Sequence, residues 1–265
     1  MDGYQVDQAP FYTGPNSLVL AFKGLSRDRE NRPVILVCHL LLHTTYQEQF
    51  PQVVDAVLNA GLEKAKAEGS SAIKVVEILV DLSAAPEQYT VLHIVDITAG
   101  RAEELRQYLD TAVALVTRKP SPLTERYHVE KDPFYVSDNA AVSLFKGAFT
   151  GRDGLPIIVK RHKFYTLQVQ DNLPTEVARA INTAIVQARV EHPNNCRVLE
   201  MHLDTRKAPK RYCLNHILEA LTRDVEMEIA QRIKDHRPLK DWELWDFLQQ
   251  TASALAYAHA KVIHT

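Results

Sequence analysis

With 265 residues, the chain has the length of one large domain or two ordinary ones, and 46% hydrophobic with 24% charged residues allows a sizeable globular core. A net charge of −2 gives no reason to expect binding to nucleic acid or to an anionic membrane. The opening stretch MDGYQVDQAPFY has no apolar core and is not a secretory signal, and no run approaches the roughly 20 apolar residues of a membrane span.

The elements read as follows in chain order. Residues 17–24 (SLVLAFKG) suit a strand, and the polar stretch SRDRENR suits a turn. Residues 33–41 (PVILVCHLL) suit a further strand, and 51–68 carry apolar residues at helical spacing. Pro51 suits a first helical turn, where no backbone N–H is needed. Strands at 72–80 and 89–96 follow, then a helix at 101–117. Lys119-Pro120-Ser121-Pro122 reads as a linker, since proline biases its neighbour to extended conformations.

The same order then repeats. Strands are expected at 140–147 and 156–164, with Gly-Arg-Asp-Gly turn chemistry between them. A helix spans 174–191, with Val177, Ile181, Ile185 and Val190 on its apolar face. Strands at 195–203 and 212–219 close the unit. A helix at 224–234, a break near Arg237-Pro238 and a longer helix from about 240 to 261 end the chain.

The repetition extends to individual residues. Pro10-Phe11-Tyr12 recurs as Pro133-Phe134-Tyr135, 123 positions later. The same offset relates Phe22-Lys23-Gly24 to Phe145-Lys146-Gly147, Pro51 to Pro174, Ala85-Pro86 to Ala208-Pro209, Tyr89 to Tyr212 and His93-Ile94 to His216-Ile217. One ungapped register over so long a stretch implies a duplicated unit. We therefore expect an α+β fold: two tandem units at 1–118 and 132–265, joined by a linker at 119–131. Each unit is expected to hold a five-stranded antiparallel sheet and one helix.

In the second unit GLPIIVK ends at Lys160, and a helix leads through His192-Pro193-Asn194-Asn195 to a strand, a turn and the sequence Ile217-Leu218-Glu219. The stretch from Asp241 to His264 follows. This order and spacing resemble the small lobe of eukaryotic protein kinases, with Lys160 in the place of the nucleotide-phosphate lysine. Leu218 stands in the gatekeeper place, Leu221 and Asp224 begin the next helix, and 241–264 matches the helix before the His-Arg-Asp motif. The Trp245-x-Phe247-Leu248-x-Gln250 spacing is similar to NIMA-related kinases. The resemblance covers 130–265 and reaches the first unit through the repeat.

The departures bear on catalysis. Asp138-Asn139-Ala140-Ala141-Val142 replaces the glycines that let a kinase backbone approach phosphates. The position of the glutamate that pairs with the lysine holds Thr183, and Ala60 in the first unit, where the lysine position is Val37. The chain stops at Ile263-His264-Thr265, where the catalytic loop should begin. The resemblance therefore implies a catalytically inactive, pseudokinase-like scaffold with Lys160 vestigial, and no cofactor.

No metal site is expected. The 11 histidines include the repeat pairs His39/His162 and His93/His216, each read as sitting alone on a strand. The three cysteines, Cys38, Cys196 and Cys213, show neither metal spacing nor a disulfide framework, which points to a reducing compartment. The basic run Arg206, Lys207, Lys210 and Arg211 reads as a solvated turn that can touch an acidic partner.

Trp242, Trp245, Phe247 and Leu248 crowd the last helix with large apolar groups. Either the first unit or another protein must cover them. The expected partner is a protein in a larger assembly, with a microtubule, cytoskeletal or ciliary filament as one guess and a cytoplasmic location. The alternatives are a nucleotide-binding, kinase-related enzyme completed by a partner, and a regulator that docks on an active kinase.

Overall fold

The computed structural model describes residues 3–27, 31–66, 73–96, 102–117, 126–150, 154–165, 173–205, 207–220 and 225–263. Residues 28–30 of the turn at 26–32, the Gly-Arg-Asp part of the second turn, the linker at 119–122, Arg206, Leu221, Asp224, His264 and Thr265 lie outside the described residues. No described helix is long and apolar enough to cross a membrane.

The fold is α+β with two antiparallel sheets. The first holds β1 (Tyr4–Val6), β2 (Tyr12–Thr13), β3 (Val19–Ser26), β4 (Arg32–Leu42), β5 (Lys74–Asp81) and β6 (Gln88–Asp96), in the order β1-β3-β4-β6-β5 with β2 beside β3. The second holds β7 (Tyr127–Val129), β8 (Tyr135–Val136), β9 (Val142–Phe149), β10 (Pro156–Tyr165), β11 (Val198–Asp204) and β12 (Arg211–Glu219), in the same spatial order. Each sheet thus has six strands instead of the five expected. The additional strands are two or three residues long, too short to display the two-residue period by which strands are read. β7 also lies inside 119–131, so the second sheet begins within the stretch expected as linker.

The helices are α1 (His43–Tyr46), α2 (Phe50–Lys66), α3 (Ala102–Thr117), α4 (Leu173–Ala188), α5 (Val225–Lys234) and α6 (Asp241–Ile263). The repeated Phe-Lys-Gly has a steric cause. A Cβ on Gly24 would stand 2.8 Å from the Gln5 carbonyl oxygen, and one on Gly147 2.5 Å from that of His128. The short strands β1 and β7 can pair only because those two positions lack a side chain.

Both sheets curl. The Tyr4 hydroxyl on β1 donates to the Glu77 carboxylate on β5, the opposite edge of the first sheet. Arg126, just before β7, pairs with Glu200 on β11 at 3.1 Å. Each curl encloses a small apolar cluster, around Leu36 and Ile94 in one sheet and Phe145 and Ile157 in the other.

The other faces of the sheets share one core. α2 and α4 lie side by side, and each packs against both edge strands, β5 and β11. Val57, Leu58 and Leu62 of α2 join Val177, Ile181 and Ile185 of α4 in a single cluster spanning both repeats. The contact is reciprocal in the 123-residue register. The Asn59 side chain donates to the Met201 carbonyl at 2.8 Å and accepts from its N–H at 2.7 Å. Asn182 does the same to Ile78, at 3.0 and 2.9 Å. Lys66 reaches the Leu199 carbonyl, and its counterpart Arg189 reaches those of Val75 and Val76. Each edge strand therefore receives its missing hydrogen bonds from the helix of the other repeat. Tyr89 and Tyr212 meet with ring centroids 6.3 Å apart. Ala85–Pro86 and Ala208–Pro209 are both cis.

Candidate functional site

α6 is the least covered element. Trp242 is 64% exposed and Trp245 70%, with Leu244, Phe247, Leu248 and Leu255 exposed too. Repeat 1 does not cover them, so the first of the two expected covers is absent. Among the described residues, the contacts that hold α6 lie along one side. His192 Nε2 lies 3.2 Å from the Ser253 hydroxyl, Asn194 donates to the Gln250 carbonyl at 3.3 Å, and the Tyr257 ring meets His192. At 100° per residue, Asp241, Trp245, Leu248, Ala252 and Leu255 fall on the opposite side, and all are exposed. Arg232 of α5 clamps Glu243 of α6 with two hydrogen bonds, 3.0 and 2.8 Å, and also holds Glu228. The hydrogen bonds from Arg232 and then from the Lys240 N–H hold the Glu243 carboxyl down at about 2.

The basic turn forms between β11 and β12. Lys207 and Lys210 are exposed, and Arg211 is half-buried at the start of β12. No described hydrogen bond or ion pair joins this turn to α6.

Lys160 sits mid-strand on β10, opposite Leu144 of β9 and His216 of β12. Thr183, at the expected glutamate position, is exposed on α4, and its hydroxyl donates to the Arg179 carbonyl. The histidines were expected to sit alone. Instead they meet across strands, because β4 pairs with β6 and β10 with β12 in a register the sequence does not announce. Ring centroids of His39 and His93 are 4.6 Å apart, and those of His162 and His216 are 4.9 Å apart. Burial pulls His39 and His162 down to about 4 and His216 to about 3. His93 is also lowered, by burial and then by His39. These imidazoles are neutral at pH 7. Among the described residues no group of three or more histidines, cysteines and carboxylates could hold a metal.

Two grooves occupy equivalent places where the helix of one repeat meets the sheet of the other. One, of about 790 Å³, lies between the start of α4 and β5, and is lined by Leu79, Leu92, Pro174, Ala178 and Val186. Its counterpart, of about 440 Å³, lies between the start of α2 and β11, and carries Asp55, Arg161, His202 and Asn215. Asp55 is buried and accepts from the Leu203 N–H at 2.8 Å, while its other oxygen stands 2.5 Å from His202 Nδ1. Burial raises the Asp55 carboxyl and lowers His202, so both shifts disfavour separated charges. Arg161 donates to Asn215 at 2.8 Å and lies over the Phe145 ring. Residue-by-residue reading missed this polar group. The signal that could have found it is the repeat itself, in which Asp55 and His202 stand where the other copy has Ala178 and Leu79.

Comparisons with protein-family models, with curated proteins and with solved structures each return no match.

Proposed function

We propose that the chain is a catalytically inactive, kinase-small-lobe-like scaffold that makes protein contacts within a larger assembly. One observation carries this reading. α6 presents Trp245, Leu248 and Leu255 outward, on the side away from its contacts with His192 and Asn194. Fully burying such side chains is worth about 1.5–3 kcal/mol each, so a partner surface gains most by covering them. The residues around Lys160 support the inactive reading. Threonine stands where its acidic partner belongs, and the neighbouring titratable groups are neutral histidines. The assembly we have in mind is cytoplasmic, with a cytoskeletal or ciliary filament as the kind of support that two similar units at fixed spacing suit.

The test is thermal unfolding of the full chain with and without ATP and magnesium, together with an autophosphorylation assay. The expected result is no shift and no incorporation. A stabilisation that disappears in Lys160→Ala would overturn the scaffold reading in favour of a nucleotide-binding protein.

A further inference from the structure

α3 covers one face of repeat 1, and among the described residues no helix packs closely in the equivalent place on repeat 2. Tyr108 of α3 places its hydroxyl 2.6 Å from His93 Nδ1, and α3 packs against α2, β3 and β4. Under it Ala21, Val37 and His39 are buried. Their counterparts 123 residues on, Leu144, Lys160 and His162, are only half-buried, and His162 Nε2 has no hydrogen-bond partner among the described residues. In the α3 register, α5 puts Gln231 and Arg232 where α3 has Tyr108 and Leu109. α5 therefore lacks the side chains to fill the face.

Repeat 1 shows what such a face takes: an amphipathic helix with acidic residues in its first turn, Glu104 lying one turn before Tyr108. Repeat 2 adds a cation at the centre of the face, Lys160. The exposed side of α6 has the matching pattern, with Asp241 one turn before Trp245, then Leu248, Ala252 and Leu255. It is anchored by its other side at His192 and Asn194, and that leaves the stripe pointing away.

We propose that two copies of the chain exchange their α6 helices, each α6 docking through Trp245 and Leu248 on the bare face of repeat 2 in the other copy, with Asp241 against Lys160. One chain supplies both halves of the contact, and reciprocal docking within one pair makes a two-fold dimer. The inference rests on the scaffold reading only in taking α6 as a contact element.

The test is the mass of the full chain by light scattering across a concentration series. The expected mass rises from 30.0 kDa toward about twice that value. Trp245→Ala, Lys160→Glu and Asp241→Lys should each weaken the dimer about tenfold or more, with helix content unchanged by circular dichroism. Lys160→Glu combined with Asp241→Lys should restore it, which a merely destabilised fold would not do. A chain that stays at 30.0 kDa throughout, or a dimer indifferent to both charge variants, would sink the exchange. A monomer without nucleotide binding leaves the scaffold reading in place. A Lys160-dependent ATP shift in a dimer defeats the scaffold reading alone.

Discussion

The two repeats share strand order and register, and differ in what they bury. In repeat 1 the helix-facing residues Val19, Ile35 and Val37 are buried under α3. In repeat 2 their counterparts Val142, Ile158 and Lys160 stay half-buried. The grooves differ at one pair of equivalent positions. The groove on β11 carries Asp55 and His202, whereas the one on β5 has Ala178 and Leu79. Duplication has kept the residues that close the shared core, the Asn59 and Asn182 bridges and the Gly24 and Gly147 contacts, while the surfaces have diverged. The scaffold is thus symmetric and its accessible faces are not.

The largest effect expected tests what the repeats share. His39, His93 and His216 are buried and lowered, so the folded chain binds fewer protons than the unfolded chain below about pH 6.5. Their contribution is present above the unfolded value near 6.5 and is lost as pH falls toward 4. Each histidine costs up to about 1.4 kcal/mol per pH unit, so three cost about 4 kcal/mol per unit. Urea unfolding at several pH values should show stability falling steeply across this window. Because one core spans both repeats, it should be lost in a single transition. A flat profile from pH 6.5 to 4.5, or two separate transitions, would contradict the shared neutral core.

Next in size is the polar groove. Asp55→Ala strips His202 and the Leu203 N–H of their buried acceptor and should cost about 3 kcal/mol. Adding His202→Leu converts the site to the chemistry of its counterpart and should recover most of that loss. If the double variant is no better than the single, Asp55 and His202 are not a coupled pair. The Asn bridges come third. Asn59→Ala and Asn182→Ala each orphan a backbone N–H and carbonyl on an edge strand and should cost about 2 kcal/mol apiece. Clearly unequal costs would mean that the two bridges do not support the core alike.

Much of the frame was readable from the residues. Apolar spacing at Val177, Ile181 and Ile185 marked α4 and its buried face, and the offset of 123 marked the duplication. The long strands fell within a few residues of where Pro33 and Pro156 begin β-branched runs. What stayed hidden depends on contacts distant in sequence. That α2 packs on β11 and α4 on β5 follows from complementary helix faces, and nothing local at Asn59 or Asn182 announces a partner over 100 residues away. The histidine pairs needed the cross-strand register, and the Asp55–His202 contact needed the helix of one repeat placed on the sheet of the other. At α6 the crowding of Trp242 and Trp245 was plain, but whether repeat 1 covered them was a tertiary question.

The smallest effect separates α3 and α5, which share the 123-residue register. Tyr108 is buried, and its hydroxyl meets His93, so Tyr108→Phe removes one hydrogen bond and leaves a buried imidazole nitrogen unsatisfied. The cost should be about 1–2 kcal/mol. His93 should stay neutral in the variant, because burial is the first cause of its lowered value and the tyrosine is not among the causes. Gln231 occupies the same register position on α5, is exposed, and its side chain donates to Asp235, just past the end of the same helix. Gln231→Ala should change stability by less than about 0.5 kcal/mol. Denaturant midpoints for the two variants, measured at pH 7.5, set them side by side. A Gln231→Ala cost matching that of Tyr108→Phe would mean that α5 packs on repeat 2 as α3 packs on repeat 1. The bare face, and with it the room for an exchanged α6, would then be gone.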